Sequence, residues 1–239
     1  WNGLEFWKAS GLDSLGCVTH CFTTRHGGVS SGPYGSLNLA YHVGDDPDAV
    51  AGNRGKLLEA LDLAPDDLVA GEQVHGDRIA IVGETDRGRD WSPRSPGLPS
   101  TDGLATNSPR LALIAFFADC VPIYIVEPSK RVIALIHAGR RGTAMGIAAK
   151  AVGLLEETFG VNPARLHAAV GPSIGPCCYE LDLWQANFDQ LVAAGIPKSN
   201  IYVARICTSC RRDLFFSYRA SGGRTGRMAA VLMLNRGDR

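Results

Sequence analysis

Three residues carry side chains that hold first-row transition metals, and each sits where a run of strand-like sequence gives way to a turn. His75 lies in Gln73-Val74-His75-Gly76, Cys120 in Ala118-Asp119-Cys120, and His137 in His137-Ala138-Gly139. Catalytic zinc takes three His, Cys or carboxylate donors and leaves a fourth position open for water or substrate. Strand ends beside turns are where a rigid scaffold presents such groups. The intervals of 45 and 17 residues match no local zinc-finger spacing, so only the fold can bring the three together. On spacing alone, a buried thiol and two hydrogen-bonded strand-end histidines account for them more simply.

Two further patterns bear on chemistry. Gly139-Arg140-Arg141-Gly142-Thr143 opens a helix, where free backbone N–H groups and two guanidinium forks suit phosphate or carboxylate. It is not a P-loop, because no Gly-x4-Gly-Lys-Ser/Thr occurs, and a turn with solvated arginines fits it equally well. The glycines at 27, 28, 32 and 35 serve a plain surface loop as readily. Cys207-Thr208-Ser209-Cys210 is a solitary Cys-x-x-Cys. A zinc knuckle needs a second spaced pair and Cys177-Cys178 is adjacent, so a structural role is preferred there.

The elements that must position these residues follow from the hydrophobic pattern. Leu111–Phe117, Val121–Val126 and Val132–His137 are continuous apolar runs bounded by turns, the mark of strands covered on both faces. Other strands are expected at 18–24, 68–74, 78–83, 166–170 and 201–206, with a hairpin-like pair at 213–218 and 226–234. Helices are expected at 47–61, 143–159 and 182–194, the first given its N-cap and first turn by Asp45, Asp46 and Pro47 and the second stopped by Gly160. Residues 84–103 read as a long surface excursion. The expected fold is mixed α/β: one sandwich-like domain over 1–239, with mixed sheets flanked by helices.

Composition excludes several classes. The 239 residues balance 24 Lys+Arg against 24 Asp+Glu, which gives no reason to expect nucleic-acid or anionic-membrane binding. The longest apolar run, Leu111–Ala118, is far short of the roughly 20 residues that span a bilayer. Trp1–Leu15 has no continuous apolar stretch and does not read as a secretory signal. Seven cysteines in a chain that can fold without staples read as reduced thiols, and the expected location is the cytoplasm.

Taken together, the motifs become recognisable. Thr23-Thr24-Arg25-His26-Gly27-Gly28-Val29-Ser30, Ser36-Leu37-Asn38-Leu39, Asn53-Arg54, Gln73-Val74-His75 and Thr101-Asp102-Gly103 come first. Ala118-Asp119-Cys120, His137-Ala138-Gly139 and Arg141-Gly142 follow. Gly171-Pro172-Ser173-Ile174-Gly175, Cys178-Tyr179-Glu180, Cys207-Thr208, Phe216-Ser217-Tyr218-Arg219 and Thr225-Gly226-Arg227-Met228 complete the series. In this order the chain resembles the laccase-domain family, first described as multicopper polyphenol oxidases and now as purine nucleoside phosphorylases. The resemblance implies zinc held by His75, Cys120 and His137, with copper as an in-vitro substitute. It also implies phosphorolysis of adenosine, inosine or methylthioadenosine, and hydrolytic deamination of adenosine. On that footing Asp119 is expected as a base or as a partner of the metal ligands, and Arg141 as a phosphate holder. Asn38, Arg54 and Arg25 are expected to contact substrate. Partners are then a nucleoside and phosphate, with no nucleic acid and no membrane.

Two departures stand out. The family usually has Trp where this chain has Arg140, which replaces a flat aromatic wall by a cation. The family's longer stretch after Cys-Tyr-Glu is absent, since Glu180 runs directly into Leu181-Asp182-Leu183-Trp184. Two rival functions compete. A Cys–His hydrolase would use Cys120 as nucleophile, and the family's link to peptidoglycan-precursor editing suits it. A copper-dependent polyphenol oxidase ranks below, because six histidines without a His-x-His cannot build a multicopper centre.

Overall fold

A computed structural model describes residues 3–237; Trp1 and Asn2, the start of the Trp1–Leu15 segment, and Asp238 and Arg239 lie outside them. The strands are β1 (Phe6–Trp7), β2 (Val18–Thr23), β3 (Leu68–Ala70), β4 (Ile79–Ile81), β5 (Gly103–Thr106) and β6 (Ala112–Phe117). They continue as β7 (Val121–Glu127), β8 (Val132–Ala138), β9 (His167–Val170), β10 (Ile201–Val203) and β11 (Met228–Leu234). The helices are α1 (Ser10–Asp13), α2 (Pro47–Leu61), α3 (Arg140–Ala144), α4 (Ile147–Phe159) and α5 (Leu183–Ala193). One sheet runs β1-β2-β11-β6-β3 and the other β10-β9-β7-β8-β5-β4. Each mixes parallel and antiparallel pairs, as the expected α/β class requires.

The continuous apolar runs are explained by their two covered faces. In β6, Leu113 and Phe117 point between the sheets while Ala112, Ile114 and Phe116 face α2. In β8, Ile133 and Leu135 enter the same inter-sheet core, whereas Val132, Ala134 and Ile136 pack under α4 and α5. The period-two alternation thus separates two cores rather than core from water. The result is a four-layer stack of helix, sheet, sheet and helices.

Local chemistry sets the helix ends. The Asp46 side chain accepts from Asp48 N at 3.0 Å and Pro47 fills the first turn, so α2 spans 47–61 as expected. Asp182 caps α5 by accepting from Gln185 N at 3.0 Å. The helix expected at 143–159 is instead two. α3 starts at Arg140, and Gly146, at φ 78°, turns the chain before α4, which Gly160 closes in the left-handed conformation.

Two other expectations are corrected. The strand at 68–74 ends at Ala70: Glu72 N donates to Leu98 O, and the Gln73 amide pairs with both main-chain groups of Phe116 at 2.8 Å. The chain leaves the sheet there to build the loop that carries His75. The C-terminal hairpin does not form either. β11 lies between β2 and β6, both of its edges filled, and 213–218 is irregular, with Phe215 and Phe216 buried as plugs of the inter-sheet core.

Candidate active site between the sheets

The β6–β7 connection crosses from one sheet to the other through Ala118-Asp119-Cys120, at the open end of the inter-sheet gap. Asp119 makes the turn with φ 87° and fixes it with its carboxylate. Its Oδ1 accepts from Thr208 Oγ1 at 2.7 Å, and its Oδ2 from Ser217 Oγ at 3.0 Å and Arg219 N at 2.8 Å. Three donors on one buried carboxylate tie the crossover to the 207–219 segment and aim Cys120 at the gap.

His137, near the end of β8, lies beside the start of β7 that Cys120 leads into, its ring 5.3 Å from that of Phe117. Its Nδ1 donates to Asp102 Oδ1 at 2.8 Å, which leaves Nε2 free to point at a ligand. The same carboxylate holds the His75 loop, accepting from Val74 N at 3.2 Å, His75 N at 2.9 Å and Gly76 N at 2.7 Å. One aspartate therefore positions two of the three candidate ligands. The His75 and His137 rings meet edge to face at 5.0 Å, and donor atoms of His75, Cys120 and His137 all lie within 4.8 Å of one another. Gly139 makes room for this: a Cβ there would sit 3.0 Å from His75 Cδ2 and 3.2 Å from Cys120 Sγ.

The electrostatics favour a thiolate. Burial pushes the Cys120 thiol up, but the His137 charge and hydrogen bonds from His137 and His75 prevail and bring it down to about 6. Burial pushes His137 down, but the Cys120 charge and the Asp102 hydrogen bond carry it up to about 9. Asp102 is also desolvated, yet its bonds from His137 and Gly76 hold its carboxyl below the usual range. Two nitrogens and one thiolate, converging and oriented from behind, are a donor set that suits zinc.

The cluster opens into a cavity of about 630 Å³. Among the residues expected at the site, Asp119 lines it with the three candidate ligands. Arg141 does not: it is exposed on α3, and its neighbour Arg140 lines the cavity instead. Arg25, Asn38 and Arg54 are likewise outside it, because the main chain consumes their polar groups. Arg25 Nε and Nη2 donate to Gly35 O, and Nη1 to Arg212 O. Asn38 is fully buried, donates to Ala40 O and Asp45, and accepts from the Ala40 and Arg227 N–H groups. Arg54 Nε donates to Leu39 O, and its guanidinium pairs with Asp90 and covers the rings of Tyr41 and Phe116. These three build the scaffold around the site.

Sequence reasoning missed Asp102 and Arg227. Asp102 stood in a recognised motif without a role, because its task is set by three N–H groups 26 to 28 residues away. Arg227 lines the cavity, and among the described residues no carboxylate pairs with it. Its Nη1 donates to the carbonyls of Thr225 and Gly226, and its guanidinium lies 5.6 Å from the centre of the Tyr218 ring.

Known proteins share this fold. The family model described as multi-copper polyphenol oxidoreductase laccase matches residues 19–182 and 179–235. The two stretches overlap at 179–182. Purine nucleoside phosphorylase YlmD of Geobacillus stearothermophilus is 41% identical over 95% of this chain and 93% of its own length. A purine nucleoside phosphorylase of Corynebacterium glutamicum is 36% identical over 91% and 94% of the two chains. The crystal structure of YlmD from G. stearothermophilus superposes with a TM-score of 0.93 at 40% identity, covering 98% of this chain and 97% of that one. By family match, sequence identity and fold, the chain belongs to the multi-copper polyphenol oxidoreductase laccase family, in which relatives bear the name purine nucleoside phosphorylase.

Proposed function

We propose that the chain is a zinc-dependent purine nucleoside phosphorylase acting on adenosine, inosine or methylthioadenosine, and that the same cavity deaminates adenosine by hydrolysis. One observation carries the reading: three zinc-type donors converge at the floor of a cavity roomy enough for a nucleoside. Zinc would be held by His75, Cys120 and His137, and when bound it supplies Lewis-acid polarisation of an oxygen. The relatives' names support the substrate class. Balanced charge and free cysteines fit a cytoplasmic enzyme whose partners are small molecules.

The chain's own residues divide the remaining work. Arg227 lines the cavity without an ion-pair partner among the described residues, so its remaining N–H groups suit a phosphate better than those of Arg140 or Arg219, which share Glu180. Phe116, Tyr179 and Tyr218 offer faces for a purine. Asp119, with three hydrogen bonds already accepted, acts as a positioning residue that holds Cys120 and the 207–219 wall.

A second reading rests on a specific contact set. Asp102, His137 and Cys120 form a carboxylate–imidazole–thiolate series, the arrangement of a Cys–His hydrolase. That mechanism leaves His75 without a task, whereas zinc gives all three donors one. The test is turnover of adenosine with and without phosphate, before and after chelation. Activity lost to a chelator and restored by zinc supports the metal reading. Activity insensitive to chelation and stopped by thiol alkylation supports the hydrolase.

A further inference from the structure

We propose a second metal centre, separate from the His75–Cys120–His137 cluster: a closed tetrathiolate zinc site built from Cys177, Cys178, Cys207 and Cys210. The sulfur atoms of these four residues all lie within 4.8 Å of one another. Cys210 Sγ is 3.5 Å from Cys177 Sγ and 3.4 Å from Cys178 Sγ. A tetrahedron with Zn–S bonds of about 2.3 Å has edges of about 3.8 Å, so the four sulfurs need only small shifts to enclose one ion. All seven cysteines of the chain are free.

The main chain brings the two pairs together. Ser173 bridges Cys207 in parallel register, with Ser173 N donating to Ile206 O and Thr208 N to Ser173 O, both at 3.1 Å. A turn at Gly175 then presents Cys177 and Cys178, with Cys178 N donating to Gly175 O at 2.9 Å. Gly175 N donates to Cys207 Sγ at 3.3 Å, and the Cys210 main-chain N–H also serves that sulfur. Backbone N–H groups aimed at a sulfur stabilise its thiolate form, as outer partners of a metal ligand do. Binding releases a proton from each thiol and leaves a doubly negative centre, which Arg205, Arg211 and Arg212 flank in sequence.

Four sulfur donors fill the coordination of zinc and leave no place for substrate, so this centre is structural. What it holds is the cavity wall. Tyr179, next to Cys178, lines the cavity; Thr208, next to Cys207, donates to Asp119. An ion there pins the 174–180 and 207–219 segments against the turn that carries Cys120.

The test is zinc content per chain for full-length protein purified under reducing conditions without chelator. The expected values are two for wild type, one for Cys207→Ser/Cys210→Ser, and one for Cys120→Ser/His137→Ala. Cobalt exchanged into Cys120→Ser/His137→Ala is expected to show the intense visible bands and thiolate charge transfer of a tetrahedral tetrathiolate. Because that variant lacks the other cluster, failure here and failure of the nucleoside reading are distinguishable. Wild-type zinc unchanged by Cys207→Ser/Cys210→Ser would overturn the proposal. So would a cobalt spectrum without thiolate character, or a native mass two hydrogens lighter that marks a disulfide among the four.

Discussion

The two cysteine-bearing clusters are built by opposite means. His75, Cys120 and His137 come from three separate loops and strand ends of both sheets, and a shared aspartate aligns them from behind. The four cysteines come from two short segments zipped together by main-chain hydrogen bonds, with no acidic residue among them. The first set provides three donors and opens onto about 630 Å³ of space; the second provides four, none of which lines that space. An incomplete donor set at a cavity belongs to chemistry, and a complete one to architecture. Cys120 and Cys207 thus do different work although both are thiols beside turns.

The comparison breaks most sharply at the ligands. His137→Ala or Cys120→Ser is expected to abolish turnover and remove one zinc per chain, leaving the tetrathiolate centre loaded; metal analysis beside the activity assay checks both. Retained turnover in either variant would end the proposed role of the open cluster. Asp102→Asn comes next. It keeps the shape but weakens the acceptor on His137, and metal affinity or activity should fall by about 10- to 100-fold. A zinc titration of the apoprotein measures it.

Arg227→Ala tests the cavity rather than the metal. Loss of charge-assisted hydrogen bonds should raise the KM for phosphate by roughly 10- to 100-fold while zinc content stays constant. Arg141→Ala should leave the phosphate dependence unchanged, because Arg141 is exposed and does not line the cavity. Gly139→Ala introduces a methyl 3.2 Å from Cys120 Sγ, and overpacking of about 1–3 kcal/mol predicts weaker zinc retention by on the order of tenfold. Equal zinc retention in that variant would mean the two ligands do not crowd Gly139.

The smallest effect is a pH profile. In metal-free protein the Cys120 thiol is lowered to about 6 and His137 raised to about 9. The depressed thiol contributes stability that is lost as pH falls through about 6, and the raised imidazole contributes stability lost as pH rises through about 9. The ion pair is thus complete between those values. Alkylation of Cys120 in apoprotein should therefore rise with a midpoint near 6, followed by mass spectrometry of the labelled peptide. A midpoint near 9, the value of an ordinary thiol, would show that the pair does not form.

The sequence reveals what is local and periodic. The apolar runs at β6, β7 and β8 and the cap of α2 follow from residues within a few positions of one another, and they stand where expected. The three donors were visible by type, but their meeting depends on a crossover between sheets that no spacing encodes. Asp102 escaped for the same reason, since its partners lie 26 to 35 residues away. Arg25, Asn38 and Arg54 illustrate the reverse. They sit in recognisable motifs yet spend their polar groups on carbonyls and a neighbouring aspartate, which sequence cannot distinguish from binding substrate. The meeting of Cys177 and Cys178 with Cys207 and Cys210 depends on the parallel bridge from Ser173 to Cys207, which spacing does not encode.

The most direct test of the open cluster is adenosine turnover by protein purified without chelator, with and without phosphate, before and after chelation and zinc return. The account predicts phosphate-dependent release of adenine and phosphate-independent formation of inosine, both abolished by the chelator and both restored by zinc. Turnover that survives complete removal of zinc and stops when Cys120 is alkylated would contradict it.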